Sequence, residues 1–401
     1  MKSVLSVDVA KNKSMFLLMS SDGQVLMEPI ELQHNYTNFN LLKERITAFK
    51  LQDLTVFMES TSTYHLPIER YFSENGFSTL IINSLETKNN FNSLRKTKTD
   101  KKDCLNLAKL FFLKEYENHN LPKNDIYYNL KTLSRQYFFL IQSNVANKNR
   151  LKRLINLTFS EFEDIFKNGK IFENTALNFI QEFPHVDIVK DSIIEELTDN
   201  LFKTNERHVK YYIKLATKIK EFSSNSYPGI EKDNEDVANL VCIAKLVQEN
   251  IQEIDKLREK MINLARQSPL FPVITSYYGI GELSASEILA ELGDIRRFGN
   301  TKELIAFCGL DPTIIQSGKT INKRGPISKR GDKYIRKILF NICLNLIMIS
   351  AKSCPEHPVN IYYRKKKEEG KHHYECIIGC CTKVLRALFA MCKNNTNWTL
   401  N

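Results

Sequence analysis

Apolar and polar positions first organise with a period near two, the signature of strands. Ser3 to Val9 and Ser14 to Ser20 are strand-like, and Ser21-Asp22-Gly23 forms a turn before a third strand, Gln24 to Leu32. The three predict an antiparallel meander that opens with a buried strand. Thr37 to Phe49 has helical spacing, and Leu54 to Glu59 is another apolar strand. Leu66 to Asn75 reads as a helix with Pro67 tolerated in its first turn. Phe77 to Asn83 is again a strand, and Thr99 to Leu113 a helix opened by Thr99 or Asp100 as cap.

Three strands, a helix, then alternating strand and helix describe an α/β ribonuclease H-like domain, placed at residues 1–120. Residues 121–268 carry almost no strand signal. There Tyr128 to Leu157, Asp191 to Phe222 and Asn234 to Arg266 have helical periodicity and many Lys/Glu pairs. Helices of this length pack as a hairpin or as a dimerising coiled coil. Ser223 to Gly229 breaks the pattern. From Pro269 glycines cluster and short helices alternate with loops, which marks a mostly α-helical third domain at 269–401.

Composition narrows the class. Hydrophobic residues make up 42% of the 401 residues, enough to bury a sizeable core. The formal net charge is +11. Such an excess favours polyanionic partners through phosphate contacts and counterion release, although a solubilising surface has the same composition. The longest apolar stretch, Ile338 to Ile349, contains Asn341 and Asn345, so no membrane association is expected. Nine irregularly spaced cysteines and no visible export signal suggest reduced thiols in a cytoplasmic protein.

The candidate chemistry begins with carboxylates. Asp8 lies inside an apolar strand, costly unless it is paired or binds a cation, and alternation puts Val7 and Val9 on the opposite face. Glu59 closes a second strand. Asp100 and Asp103 are three apart on one predicted helix and face the same way. Acids converging on two Mg²⁺ ions are what two-metal phosphoryl chemistry requires. Each acid also has a plainer role open to it: Asp100 as helix cap, Asp103 as partner of Lys101 or Lys102, Glu59 as a surface group.

Together, Ser6-Val7-Asp8-Val9-Ala10-Lys11, Met58-Glu59-Ser60-Thr61-Ser62-Thr63-Tyr64 and Lys98-Thr99-Asp100-Lys101-Lys102-Asp103 resemble the DEDD signature of insertion-sequence transposases with a RuvC-like N-terminal domain. Ser-Val-Asp stands where Gly-Ile-Asp is commoner. The resemblance implies metal ligation by Asp8, Glu59, Asp100 and Asp103 with Mg²⁺. It further implies a C-terminal transposase domain with a catalytic serine, a guiding bridge RNA, DNA element ends and target as substrates, and assembly as homodimers and tetramers.

Several C-terminal motifs bear on nucleic acid. Tyr278-Gly279-Ile280-Gly281 precedes a helix, Ser286 to Leu292, and is similar to a helix-hairpin-helix element. Its backbone N–H groups would receive a phosphate near Gly279 and Gly281, and an ordinary glycine turn between packed helices reads the same way. The stretch Phe307 to Tyr334 resembles the C-terminal domain of the same transposases, and Gln316-Ser317-Gly318-Lys319 matches the position of their nucleophilic serine. Residue chemistry alone does not separate Ser317 from Ser328; the resemblance selects Ser317, expected on a flexible loop. Lys319, Lys323 and Arg324 lie nearby. Ser328-Lys329-Arg330-Gly331 with Lys333 and Arg336 reads as a phosphate-gripping loop leading into a helix, with a solvated basic face as the alternative. Cys354, His357, His372, His373, Cys376, Cys380 and Cys381 lack tidy zinc spacing, and helical periodicity makes the last three core residues. The resulting expectation is a DNA transposase or recombinase. Its rivals are a metal-dependent, structure-selective nuclease that uses no serine and a non-catalytic nucleic-acid-binding protein.

Overall fold

The computed structural model describes residues 2–82, 100–113, 125–203, 207–317 and 321–399, with backbone alone for Asp100 and residues 314–317 and 321–324. The chain divides into two compact units, Met1–Leu121 and Pro122–Asn401.

In the first unit, β1 (Lys2–Val9), β2 (Lys13–Ser20), β3 (Val25–Gln33), β4 (Asp53–Glu59) and β5 (Ser78–Ile82) form one sheet in the order β3-β2-β1-β4-β5. The meander is antiparallel, whereas β4 and β5 run parallel to β1. Side-chain alternation sorts the apolar residues onto two faces. Leu5, Val7 and Val9 of β1, with Phe16, Leu18, Val56 and Met58, pack on α1 (Tyr36–Ala48) and α2 (Leu66–Glu74) through Phe39, Leu42, Ile46, Ile68 and Phe72. Val4, Met15, Leu17 and Phe57 face the other way and pack on α3 (Asp100–Leu113) through Cys104, Leu107, Ala108 and Phe111. The central strand is covered on both sides, so residues 3–7 of β1 are buried without a break, the small Ser3 and Ser6 among them. The expected strands and helices are present, within a residue or two at their ends. The mixed sheet with its helices is consistent with the ribonuclease H-like expectation.

The second unit is built on two long helices, α4 (Ile126–Thr158) and a later one, α10. Between them come α5 (Phe162–Ile165), α6 (Asn174–Glu182), α7 (Val186–Asp191), α8 (Ile194–Phe202) and α9 (Val209–Asn225), and then α10 (Glu235–Ala265) itself. The single helix expected from Asp191 to Phe222 is thus two, α8 and α9. The long pair is antiparallel. Gly229 N–H donates to Leu157 O (2.8 Å) where α4 ends and α10 begins, and Tyr127 Oη meets Ser268 Oγ (3.0 Å) at the opposite ends. The short helices close over one end of the pair, in a core that includes Leu154, Phe162, Phe179, Leu197, Tyr212 and Val247.

After α10 come α11 (Phe271–Thr275), α12 (Glu282–Leu292), α13 (Thr301–Phe307), the hairpin β6 (Pro312–Ser317) and β7 (Ile321–Ile327), then α14 (Lys333–Ser353), α15 (Pro358–Glu368) and α16 (His373–Asn394). The hairpin was not among the elements expected in this mostly α-helical region. The sequence reading of no membrane-length segment also needs correction: α14 is long and apolar enough to cross a membrane, alone among the described helices in this. In this structure it packs against α12, α15 and α16, with Ile335, Leu339, Cys343 and Leu346 buried.

Candidate active site and nucleic-acid interface

Asp8 and Glu59 occupy the carboxyl ends of adjacent parallel strands. The β1–β4 register pairs Val7 with Met58, so the next level of the sheet is that of Asp8 and Glu59. Alternation directs both to the α3 face: Phe57, two residues before Glu59, and Val4, four before Asp8, pack against α3. Asp103 sits in the first turn of α3. Asp8, Glu59 and Asp103 are all half-buried.

The start of α3 is fixed to β1 beside Asp8. Ser6 Oγ donates to Cys104 O (2.9 Å), and the Cys104 thiol donates to Ser6 O (3.3 Å) and Met15 O (3.4 Å). Burial pushes the Cys104 thiol up to about 11, and the charges of Asp8 and Asp103 add to the rise, so both carboxylates lie near this one sulfur. The sequence reading missed Ser6 and Cys104 as the pin. Ser6 two residues before Asp8, and Cys104 next to Asp103, were the available signal.

An all-carboxylate donor set suits a hard divalent cation. Among the described residues, no three His, Cys, Asp or Glu side chains are close enough to hold a metal. Asp100 opens α3, and its side chain, the fourth expected donor, lies outside the described residues.

In the second unit, Ser317 is the last residue of β6 and pairs with Ile321, which places it at the end of a hairpin strand and not in the flexible loop expected. Its side chain and those of Lys323 and Arg324 lie outside the described residues, as does the whole of Lys319. By register, Lys323 pairs with Ile315 and Arg324 with Ile314.

The loop 328–331 is tightly built. Ser328 Oγ donates to Asp311 Oδ1 (2.6 Å), Ser328 N–H to Asp311 O (2.8 Å), Lys329 N–H to Gly309 O (3.1 Å) and Asp332 N–H to Phe307 O (3.2 Å). Gly331 lies so close to the 307–309 turn that a β-carbon would collide with Phe307 O and come within 2.6 Å of Gly309 N. Lys329 adopts a left-handed backbone (φ 55°), and Lys329, Arg330 and Lys333 are exposed. Arg336 is not available to a phosphate in the same way: its Nη1 donates to Cys308 O (3.0 Å).

The Gly-x-Gly segment joins α11 to α12. Gly281 caps α12, and Gly279 has φ +88° and packs against Leu346, where a β-carbon would sit 3.2 Å from Cδ1. The helix begins at Glu282, four residues earlier than expected, and Glu282 is paired with Arg266 (2.7 Å). The segment is buttressed from the far end of the chain. Trp398 stacks on His357 (centroids 5.3 Å apart) and lies against Tyr277 and Tyr278, and its backbone N–H donates to Ser276 Oγ (3.0 Å). Cys376, Cys380 and Cys381 are buried in the core, as the periodicity predicted.

Residues 5–160 match a family described as transposase, the DEDD type of IS110, and residues 272–356 match the Transposase IS116/IS110/IS902 family. The insertion element IS110 uncharacterized 43.6 kDa protein of Streptomyces coelicolor is 28% identical over 150 residues, 36% of this chain and 35% of that one. The pilin gene-inverting protein of Moraxella bovis is 24% identical over 191 residues, 46% of this chain and 58% of its own length. A probable family 20 transposase of Pseudomonas aeruginosa is 31% identical over 106 residues, 25% and 31% of the two chains. The aligned part of the chain thus spans between about a third and three-fifths of the length of these relatives.

Proposed function

We propose, from the premise that its two matched segments make this chain an IS110-family transposase, that it cuts and rejoins DNA strands by metal-dependent phosphoryl transfer. The observation that carries the proposal is the placement of Asp8 and Glu59 on adjacent strand ends, on the face where α3 brings Asp103 to the same sheet. Asp8, Glu59, Asp100 and Asp103 are the residues that would hold the metal, as two Mg²⁺ ions. Bound there, the ions supply Lewis-acid stabilisation of the phosphate. The chain itself positions the acids: the Ser6–Cys104 contacts hold α3 against β1 and thereby set the distance from Asp103 to Asp8.

Ser317 is the proposed nucleophile. Its oxygen bonds to phosphorus, its proton leaves to a base, and the displaced sugar oxygen departs, leaving a phosphoserine link that rejoining reverses. Gly279, Gly281, Lys319, Lys323, Arg324, Lys329, Arg330 and Lys333 are the proposed nucleic-acid contacts. A bridge RNA would specify the DNA, and the working form would be a homodimer or tetramer. In this scheme residues 1–120 bear the acids, 121–268 link and dimerise, and 269–401 bear the serine. The pilin gene-inverting relatives support recombination as the outcome.

The test is cleavage of element-end DNA with Mg²⁺ and RNA transcribed from its flanks, comparing wild type with Asp8→Ala and Ser317→Ala and trapping covalent adducts on denaturing gels. Cutting is expected to fall about 100-fold or more in Asp8→Ala, and the adduct to vanish in both variants. Cutting that survives Ser317→Ala with no adduct in any sample would instead identify a water-using nuclease. No cutting by wild type would leave a binding protein.

A further inference from the structure

A buried ionic cluster joins three elements of the second unit. Glu291 on α12 has a side chain with 0% exposure, yet it is a carboxylic acid. Arg135 on α4 donates through Nη2 to Glu291 Oε2 (2.7 Å) and to Asp332 Oδ2 (2.8 Å). Ser134 Oγ donates to Glu291 Oε1 (3.4 Å), and Lys131 stands 3.9 and 3.7 Å from Glu291 and Asp332. The Arg135 guanidinium lies flat over Tyr334, 3.4 Å from the ring centroid. Asp332 in turn caps α14 by accepting from Tyr334 N–H (2.8 Å).

Burial is the main force raising Glu291, to about 7, with the charge of Asp332 adding to it. Asp332 is held low despite its burial, by the Tyr334 N–H, by Arg135 and by the hydrogen bond to Glu291. Glu291 is therefore the carboxyl that keeps its proton more readily, and Asp332 the one held as the anion, with both accepting from the single Nη2 of Arg135. Breaking a buried cluster of this kind leaves charges unpaired, so its geometry is strongly held.

The position of the cluster is what matters. Asp332 is the next residue after Gly331, so the cluster grips the exit of the 328–331 loop, while Ser328 and Lys329 are tied to Asp311 and Gly309 at its entry. Arg135 belongs to the first family-matched segment and Glu291 and Asp332 to the second. Half-covered and occupied by two carboxylates, Arg135 is not itself placed to meet a phosphate.

We infer that Arg135 is a positioning residue for nucleic-acid capture, fixing the 328–331 loop to α4 and α12 so that Lys329 and Arg330 are presented together to a phosphodiester backbone. The inference rests on the proposed role of that loop as a nucleic-acid contact. Lysine does not replace the arginine fully here, because it lacks the planar face that lies over Tyr334.

The experiment uses the full chain with Arg135→Lys, which keeps the charge, and with Tyr334→Leu, which removes the ring under Arg135 together with its packing on Phe138. Hydrogen exchange of amides 328–334 is read on the free protein, and binding is read with a fluorescent DNA duplex. Both variants should exchange faster in that segment. Arg135→Lys should bind about tenfold more weakly, and this loss should disappear when added to Lys329→Ala/Arg330→Ala, because misplaced and deleted cations are the same loss. Unchanged exchange, or losses that multiply, would overturn the inference. Full affinity in Lys329→Ala/Arg330→Ala alone would remove the loop from the binding surface and overturn the underlying reading, while the exchange data would still report whether Arg135 orders the loop.

Discussion

The two units use acidic residues in opposite ways. In the first, Asp8, Glu59 and Asp103 stand half-buried at strand ends and at the opening of a helix, where a cation could reach them. In the second, Glu291 and Asp332 are sunk between helices and satisfied by Arg135 and Lys131. Acids of the first kind should matter to chemistry and little to folding, and those of the second kind to folding first. Carboxylates alone therefore do not mark a site; their access does.

The sharpest test of that contrast is Glu291→Ala against Asp8→Asn in urea unfolding. Glu291→Ala removes a buried partner of Arg135 and leaves an empty space beside Arg135 and Asp332, and is expected to cost about 3 kcal/mol. Asp8→Asn should stay within about 1 kcal/mol of wild type. Equal losses in the two would erase the distinction.

A second, smaller effect is pH dependence. The folded Glu291 holds its proton up to about 7, against an ordinary value of 4.5. Its contribution is therefore fully present below about 4.5 and is lost as pH rises through about 7. Asp332, held low, contributes in the opposite sense, losing its effect only as pH falls below its ordinary 3.8. Between those limits Glu291 should make the stability of the second unit decline with rising pH by about 2 kcal/mol, and Glu291→Gln should remove that share of the slope in a series of thermal melts, leaving the share of Glu287, which burial likewise raises to about 7. The smallest expected effect is Lys329→Ala, which should weaken duplex binding alike for every sequence and reduce the salt slope by about 1. A sequence-dependent loss would instead assign Lys329 to base reading.

Much of the first unit was legible because its rules are local. Alternation in β1 placed Val7 and Val9 opposite Asp8, and a buried central strand was legible from its apolar residues on both faces, Val4 on one and Leu5, Val7 and Val9 on the other. Asp8 was detectable because nothing else in that strand is charged after Lys2. The pin was less visible, since Ser6 and Cys104 lie 98 residues apart and neither is unusual in its own segment. The same reason hides the buried cluster: Arg135 is 156 residues from Glu291 and 197 from Asp332, and each reads locally as an ordinary helix charge or cap. The β6–β7 hairpin was missed because its strands are short and rich in polar residues, and α8 and α9 merged because the apolar period of residues 194–202 resumes in residues 209–225. Ser317 was reached through resemblance, not through chemistry readable at that position.

The contact between Trp398 and His357 has an optical consequence. Trp398 is the sole tryptophan of the chain, so its emission arises from one place, the aromatic corner behind the Gly-x-Gly turn. Its ring is held there by Tyr277, Tyr278 and a histidine that burial keeps from protonating readily. Any event that lifts residues 396–399 off the turn exposes the indole to water and shifts its emission to the red. The protein thus carries an unlabelled spectroscopic gauge of its own Gly-x-Gly turn.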